Sequence, residues 1–455
     1  MTRTLGVADR LGVRVHGDAA ALLGLALRRN PRRAQLLVSR VLGKHVPTDP
    51  RLVRAAGLLL GRLVADALAD RPFRPLPTAL LHRAIAGDRD AAAALPRGAV
   101  DDVDAMVLGF AETATALGHC VAEGLGGAPY LHSTRRPVPG VATFGGFTEE
   151  HSHATEHLLL PRDRALLTDA RPLVLVDDEL STGRTVLNTI TALHRVAPRE
   201  RYVVAALVDV RTDDAHLVDG VAAMGARLDV VSLARGVVEL PDDVVARAEA
   251  IRAQVDAARP DTPTRTHGEP DSRMVLPDPG CPAGGRHGFS PADHAALAAA
   301  LPAMAAAVGV RPGERTLVLG TEELMALPLR LAQTLADGVD GRGGHDVAFS
   351  TTTRSPAVVV DEPGYALRSG ITFPAHDDPA DGPGPRFAYN VAPHSGSAAW
   401  DHVVVVVDPP ADTPLLYSGL LAELRPHTRR LSVVVVGDGT PTDHTAPLPT
   451  PEHSA

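Results

Sequence analysis

The chain has 455 residues, more than one hydrophobic core ordinarily serves, so two domains are expected. Hydrophobic residues make up 45% and charged residues 22%, the balance of a soluble globular protein. A net charge of −9 excludes a general nucleic-acid or polyanion binder, which needs a basic face, so an anionic ligand has to be held by local geometry.

Cys120 and Cys281 are the only cysteines, which gives neither a disulfide framework nor a zinc site and suits a reducing cytoplasm. The opening MTRTLGVADRLGVRVHG has no sustained apolar segment of the signal-peptide kind, and no uninterrupted apolar run is long enough to span a bilayer. A cytoplasmic location is the expectation. Lys44 is the single lysine; every other fixed cation is an arginine.

In chain order, residues 1–100 mix short apolar segments with helical patterns such as VRAAGLLLGRLVADALA, a partly helical extension. From about 101 the pattern becomes α/β. AMVLGF reads as a buried strand, ETATALGHCVAEGL as a helix and APYLHST as a strand. A polar loop runs through 157, followed by the strand PLVLVDD, the helix TVLNTITALHRV and the strands YVVAALVDV and LDVVSL. Strands alternating with helices predict a mainly parallel sheet covered on both faces. The expected domains are 1–257, a linker at 258–290 dense in Pro and Gly, a second α/β unit at 291–440, and a disordered tail at 441–455. The halves echo one another. VLGFAETATALGHCVAEGL lies on VLGTEELMALPLRLAQTL, and LVLVDDELSTGRTVLNTITAL lies on VVVVDPPADTPLLYSGLLAEL. Two tandem Rossmann-like units are expected, the second a degenerate copy.

The chemistry concentrates in LVLVDDELSTGRT, residues 173–185. Ligands of such sheets bind beyond the carboxyl ends of the strands, where Asp177 and Asp178 emerge. Ser181, Thr182, Gly183, Arg184 and Thr185 then form a turn into a helix, suited to a phosphate through backbone N–H groups and hydroxyls. Acids beside a phosphate cradle repel the ligand unless they face hydroxyls or a divalent cation. A ribose 5-phosphate offers both. A plain strand-to-helix turn with exposed acids is the bland alternative. A Walker loop is excluded because it needs a lysine here, and a receiver domain is excluded because no lysine follows Lys44.

This stretch resembles the PRPP-binding signature of type I phosphoribosyltransferases. The resemblance implies that Asp177 and Asp178 hold the ribose, that 181–185 hold the 5-phosphate, and that Gly109, Phe110, Ala111 and Glu112 form a diphosphate loop with Mg²⁺. For Gly109, tight strand–helix packing is the competing reading. In the loop 133–159, Arg135 and Arg136 are candidates to neutralise the leaving diphosphate, and no lysine occurs there. EEHSHATEH at 149–157 offers His151 and His153 as candidate proton-transfer groups, with structural metal ligation or a solvated loop as alternatives. Asp209 and Arg211 line an acceptor pocket or form a surface salt bridge.

NPRRAQLLVSRVLGKHVP, the signature, the His-rich loop and the later TTRSP together resemble an orotate-phosphoribosyltransferase-like domain followed by a TRSP domain, an architecture of bacterial tellurium-resistance-type stress operons. What that implies is Mg²⁺-dependent transfer from PRPP to an unidentified small-molecule acceptor, with no nucleic-acid or membrane partner and with a homodimer left open. A non-catalytic PRPP or nucleotide sensor and a phosphoribohydrolase- or phosphorylase-like enzyme are the alternatives. In the second half, Pro409, Pro410 and Pro414 fall on Asp178, Glu179 and Gly183, so that copy is not expected to bind PRPP in the same way. Gly320, Glu322, Glu323, Arg354 and Ser355 mark a candidate edge there for a different ligand, with a structural or regulatory partner domain as the alternative.

Overall fold

The computed structural model describes residues 6–30, 34–98, 101–138, 140–148, 156–257, 271–338, 344–377 and 384–437. In the first half the strands are β1 (Arg14–Gly17), β2 (Leu23–Leu27), β3 (Gln35–Ser39), β4 (Met106–Gly109), β5 (Tyr130–His132), β6 (Gly145–Thr148), β7 (Glu156–Leu159), β8 (Leu173–Leu180), β9 (Arg201–Asp209) and β10 (Arg227–Glu239). The second half adds β11 (Ser272–Val275), β12 (Arg315–Gly320), β13 (Asp346–Thr351), β14 (Gly370–Pro374), β15 (Pro385–Tyr389), β16 (Trp400–Val407) and β17 (Thr428–Val435).

Two main sheets result, ordered β1-β10-β9-β8-β4-β5 and β11-β17-β16-β12-β13. Every pairing in them is parallel except that of β1 with β10. The units share one topology: β9-β8-β4-β5 corresponds to β17-β16-β12-β13, and each has an antiparallel hairpin, β6–β7 or β14–β15, between its second and third strands in chain order. Even the bridge that ties each hairpin to the loop after the second strand repeats, Thr134 with Leu158 and Thr353 with Phe387.

Alternation of side chains along the strands decides the layers. On β8, Val174 and Val176 face one cluster and Leu173 and Leu175 another; on β16, Val404 and Val406 face one cluster, and Val403, Val405 and Val407 another. Val174, Val176, Val404 and Val406 belong to the same core, which runs through both units and includes Leu59 of helix Pro50–Leu68 and Leu331 of helix Ala326–Asp337. Each such side chain contributes roughly 1.5–3 kcal/mol by leaving water, so the halves are joined by a continuous apolar layer.

Three expectations change. Residues 271–290 are not purely linker: Ser272–Val275 forms the edge strand β11 beside β17, and Phe289 bridges to Tyr130 of β5. The apolar residues Met274 and Phe289 find cores to pack on, which Pro/Gly content cannot reveal. The first hundred residues are integral, since β1 extends the first sheet and the helix Pro50–Leu68 covers it. One helix, Pro291–Val308, does meet a length-and-hydropathy test for a membrane span, against the expectation of none. It carries Asp293, His294 and Pro302 and packs Leu297, Leu301 and Met304 into the shared core. The tail 441–455, the stretch 258–270, and His151 and His153 lie outside the described residues.

Candidate active site

The chain order of the first sheet reverses between β4 and β8, and that crevice is where its chemistry-bearing residues meet. β8 is buried through Val176, and then Asp177 and Asp178 emerge half-buried. The Asp178 amide donates to Asp177 Oδ1 at 2.9 Å. The turn that follows suits an anion: Ser181 and Thr185 are half-buried and Thr182 and Arg184 exposed. Gly183 caps the helix Arg184–Val196 at φ 74°, a conformation that favours glycine, and a Cβ there would lie 3.1 Å from Leu217 Cδ2. The first-turn N–H groups of a helix have no partner within it, and here the Arg184 amide donates to Thr182 Oγ1 at 3.4 Å.

Opposite stands the 109–112 segment. At Gly109 the packing reading holds, because a Cβ would lie 2.6 Å from the Tyr130 hydroxyl and 2.8 Å from the Ala114 carbonyl. Phe110 donates its amide to Val176 O at 3.0 Å, and Ala111 donates its amide to Ser133 Oγ at 2.9 Å. The Ala111–Glu112 peptide is cis. Glu112 Oε2 accepts from Lys44 Nζ at 2.9 Å and from Thr353 Oγ1 at 3.0 Å. Its Oε1 is buried and has no hydrogen-bond partner among the described residues.

From the loop after β5, Arg135 lies with its Nη2 3.5 Å from His157 Nε2. His157 is buried, with Nδ1 2.8 Å from Ser133 Oγ. Of the His-rich stretch, His157 is the histidine among the described residues, and it reaches the crevice. Arg136 instead reaches the second unit, where it pairs with Asp377 and lies 3.6 Å from Glu322. Asp209 and Arg211 form a buried ion pair, not a surface one, with Arg211 Nη2 2.8 Å from Asp209 Oδ2. They sit at the end of β9, where the Val210 amide donates to Leu180 O at 2.9 Å.

The second unit's candidate residues are also collected, but among themselves. Glu322 is buried and accepts from Arg354 Nε at 2.7 Å and from Arg386 Nε. Burial pushes its carboxyl up, yet Arg354, Arg386 and Arg136 outweigh this and hold it below the ordinary range. Glu323 accepts from Thr134 Oγ1 at 2.9 and 2.8 Å and from Arg286 Nη2 at 2.9 Å. Burial likewise opposes ionisation there, but Arg286, His132 and Arg136 bring its pKa to about 2. Gly320 is packed against Leu324 O, where a Cβ would approach to 2.6 Å, and the Ser355 amide donates to Thr353 Oγ1 at 3.2 Å. The register also moves the overlay of the halves by one residue. Leu108 pairs with Leu175, and its counterpart Leu319 pairs with Val405, so Asp408 matches Asp178 while Val407 matches Asp177.

Residues 22–237 match the family model "Phosphoribosyl transferase", and 283–424 match "TRSP domain C terminus to PRTase_2". The chain is a phosphoribosyltransferase domain followed by a TRSP domain. Together the two matches span well over half of it, and the crevice just described lies within the first. Solved structures similar in part include the adenine phosphoribosyltransferase of Giardia lamblia with 9-deazaadenine (18% identity, 51% of this chain and 98% of that one, TM-score 0.28). Those of Trypanosoma brucei (14%, 54% and 82%, 0.28) and Rhodothermus marinus (15%, 49% and 97%, 0.28) are comparable. No curated protein matches.

Sequence reasoning missed Lys44, Ser133 and Thr353. The signal for Lys44 was present: G-K-H at 43–45 echoes G-R-H at 285–287, each shortly before a helix that begins with proline.

Proposed function

We propose that the first unit binds PRPP with Mg²⁺ and transfers its phosphoribosyl group to a base-like acceptor, releasing diphosphate and giving a nucleotide-like metabolite. The observation that carries this reading is the pairing, at one switch point, of two strand-end carboxylates with a glycine-capped helix start. Asp177 and Asp178 accept hydrogen bonds from the 2′- and 3′-hydroxyls, and the 181–185 turn takes the 5-phosphate. The C1–oxygen bond to diphosphate breaks with its electron pair leaving on diphosphate, and the acceptor's lone pair forms the new bond on the opposite face, with inversion. Arg135 meets the charge that develops on the departing oxygens. His157, held by Ser133, is placed to exchange a proton near them. Positioning and electrostatics supply most of the acceleration.

The donor set fits Mg²⁺ brought by the substrate rather than caged by protein. No group of three His, Cys, Asp or Glu arranged for a metal occurs among the described residues, and Glu112 Oε1 is buried with no hydrogen-bond partner. When bound, Mg²⁺ supplies charge neutralisation on diphosphate. A cytoplasmic setting, where free Cys120 and Cys281 stay reduced, and a stress-response role complete the proposal.

Calorimetric titration with PRPP, with and without Mg²⁺, tests it. Mg²⁺-dependent binding by wild type that disappears in Asp177→Asn/Asp178→Asn is expected, and nucleobases are then screened as acceptors. Binding without turnover of any acceptor favours a PRPP sensor, and PRPP breakdown by water or phosphate a hydrolase or phosphorylase. A folded wild type that does not bind PRPP overturns the reading.

A further inference from the structure

The two units trade contacts reciprocally at matching positions. Glu112 and Glu323 each stand three residues after the glycine that ends the first strand of their unit, and Thr134 and Thr353 each stand two residues after the second strand. Thr353 donates to Glu112 at 3.0 Å, and Thr134 donates to Glu323 at 2.9 and 2.8 Å, so each threonine serves the other unit's acid. Each acid also takes a cation from the segment that precedes its unit, Lys44 for Glu112 and Arg286 for Glu323, both at 2.9 Å. That segment is docked on the opposite unit. Thr48 bridges to Phe349 of β13, and Phe289 bridges to Tyr130 of β5. Gly43 lies against the Phe349 ring and Gly285 against the Tyr130 ring, both too close for a Cβ. Ser350 Oγ also donates to the Lys44 carbonyl at 3.2 Å.

One position breaks the symmetry. Glu322 in the second unit corresponds to Ala111 in the first. Its carboxylate, bound by Arg354 and Arg386 with Arg136 nearby, gives the second unit a built-in anion at the head of its switch point. The strand beside it ends at Val407 and is followed by Asp408, Pro409 and Pro410, without a second adjacent acid and with two amide donors removed. The first unit keeps a methyl group at 111.

We propose that Lys44 and Thr353 are positioning residues of the PRPP site, acting through Glu112, and that the second unit is a built-in partner that completes this site and binds no PRPP itself. This rests on the transferase reading above. A carboxylate in a loop that faces diphosphate repels it unless neutralised. Lys44, 4% exposed, neutralises Glu112 where little water screens the pair, and its second bond, to Thr113 Oγ1 at 2.9 Å, ties down the next residue. Thr353 restricts the carboxylate further, so the 109–113 backbone is held for the ligand before it arrives.

The test is PRPP titration, with Mg²⁺, of the full chain and of Thr353→Val, Lys44→Gln and Lys44→Arg, each with its melting temperature. Wild type is expected to bind one PRPP per chain. Thr353→Val, nearly isosteric, should bind about tenfold more weakly without losing its melting transition, the effect of one hydrogen bond to a charged group. Lys44→Gln should lose more, and Lys44→Arg should regain most of it. Should Lys44→Gln fail to fold, Thr353→Val decides. Two PRPP per chain, or wild-type affinity in folded Thr353→Val, overturns this inference alone. No PRPP binding by wild type overturns it together with the transferase reading.

Discussion

The carboxyl ends of β8 and β16 occupy the same place in two sheets of the same topology, yet they end differently. β8 runs out through the half-buried Asp177, Asp178 and Glu179 to Leu180, and a glycine-capped helix start follows. β16 ends at Val407, followed by one aspartate and the 3₁₀ turn Pro409–Ala411, and in the neighbouring loop Glu322 is surrounded by Arg354, Arg386 of β15 and Arg136 of the first unit. One scaffold therefore carries a strand-end acid cluster in one unit and an internal ion cluster in the other. The first unit carries half-buried acids beside its glycine-capped turn, and the second holds a buried carboxylate among arginines. What the second unit retains is the outer geometry by which it grips the first.

The largest expected effect tests the first end directly. Asp177→Asn/Asp178→Asn should weaken PRPP binding at least about 100-fold in calorimetry, since two charge-assisted hydrogen-bonding groups are lost, with little change in melting temperature. At the second end the result should be the opposite. Glu322→Gln removes the buried carboxylate that Arg354 and buried Arg386 bind and should cost about 3–5 kcal/mol of stability in urea unfolding.

Acid should expose the same cluster. Glu323 titrates at about 2 in the fold against 4.5 for an ordinary glutamate, so its contribution is complete above pH 4.5 and is lost as pH falls toward 2. That shift corresponds to stability on the order of 3 kcal/mol. His132, lowered by burial to about 4, adds loss between pH 6.5 and 4, because the unfolded chain takes up the proton first. Unfolding free energy measured from pH 7 to 3 should fall in both windows, and in Glu323→Gln the fall in the lower one should shrink, leaving the part due to carboxylates such as Glu322 and Glu123, which arginines also hold below the ordinary range. Gly183→Ala forces a left-handed φ of 74° on a side chain and should cost about 1 kcal/mol, with weaker PRPP binding. Asp408→Asn should leave PRPP affinity unchanged, and a clear loss would place a ligand at the second strand end.

The residues that were legible were those whose neighbours in sequence are their neighbours in space. The strand LVLVDD, its acids and the turn around Gly183 form one continuous element, so periodicity and spacing disclose them. The repeat of the unit was legible for the same reason, although its overlay slipped by one residue, because register is settled by pairing with β12 and not by resemblance. Met274 and Phe289 were hidden in a stretch whose composition reads as linker, since a short edge strand needs only a neighbour with open hydrogen-bonding groups. Arg136 was assigned to the first crevice from its place in the loop, but Asp377 and Glu322 draw it to the other unit.

The sequence by itself determined two α/β units, the strand end that carries the acids and the loss of that chemistry in the second copy, because each depends on local pattern. The tertiary structure alone decided that Lys44 and Thr353, 309 residues apart by number, converge on Glu112. That convergence depends on how two sheets pack through a shared core and how each preceding segment docks on the opposite edge strand. Such contacts are set by the burial of surfaces distant in the chain, and no window of sequence contains them.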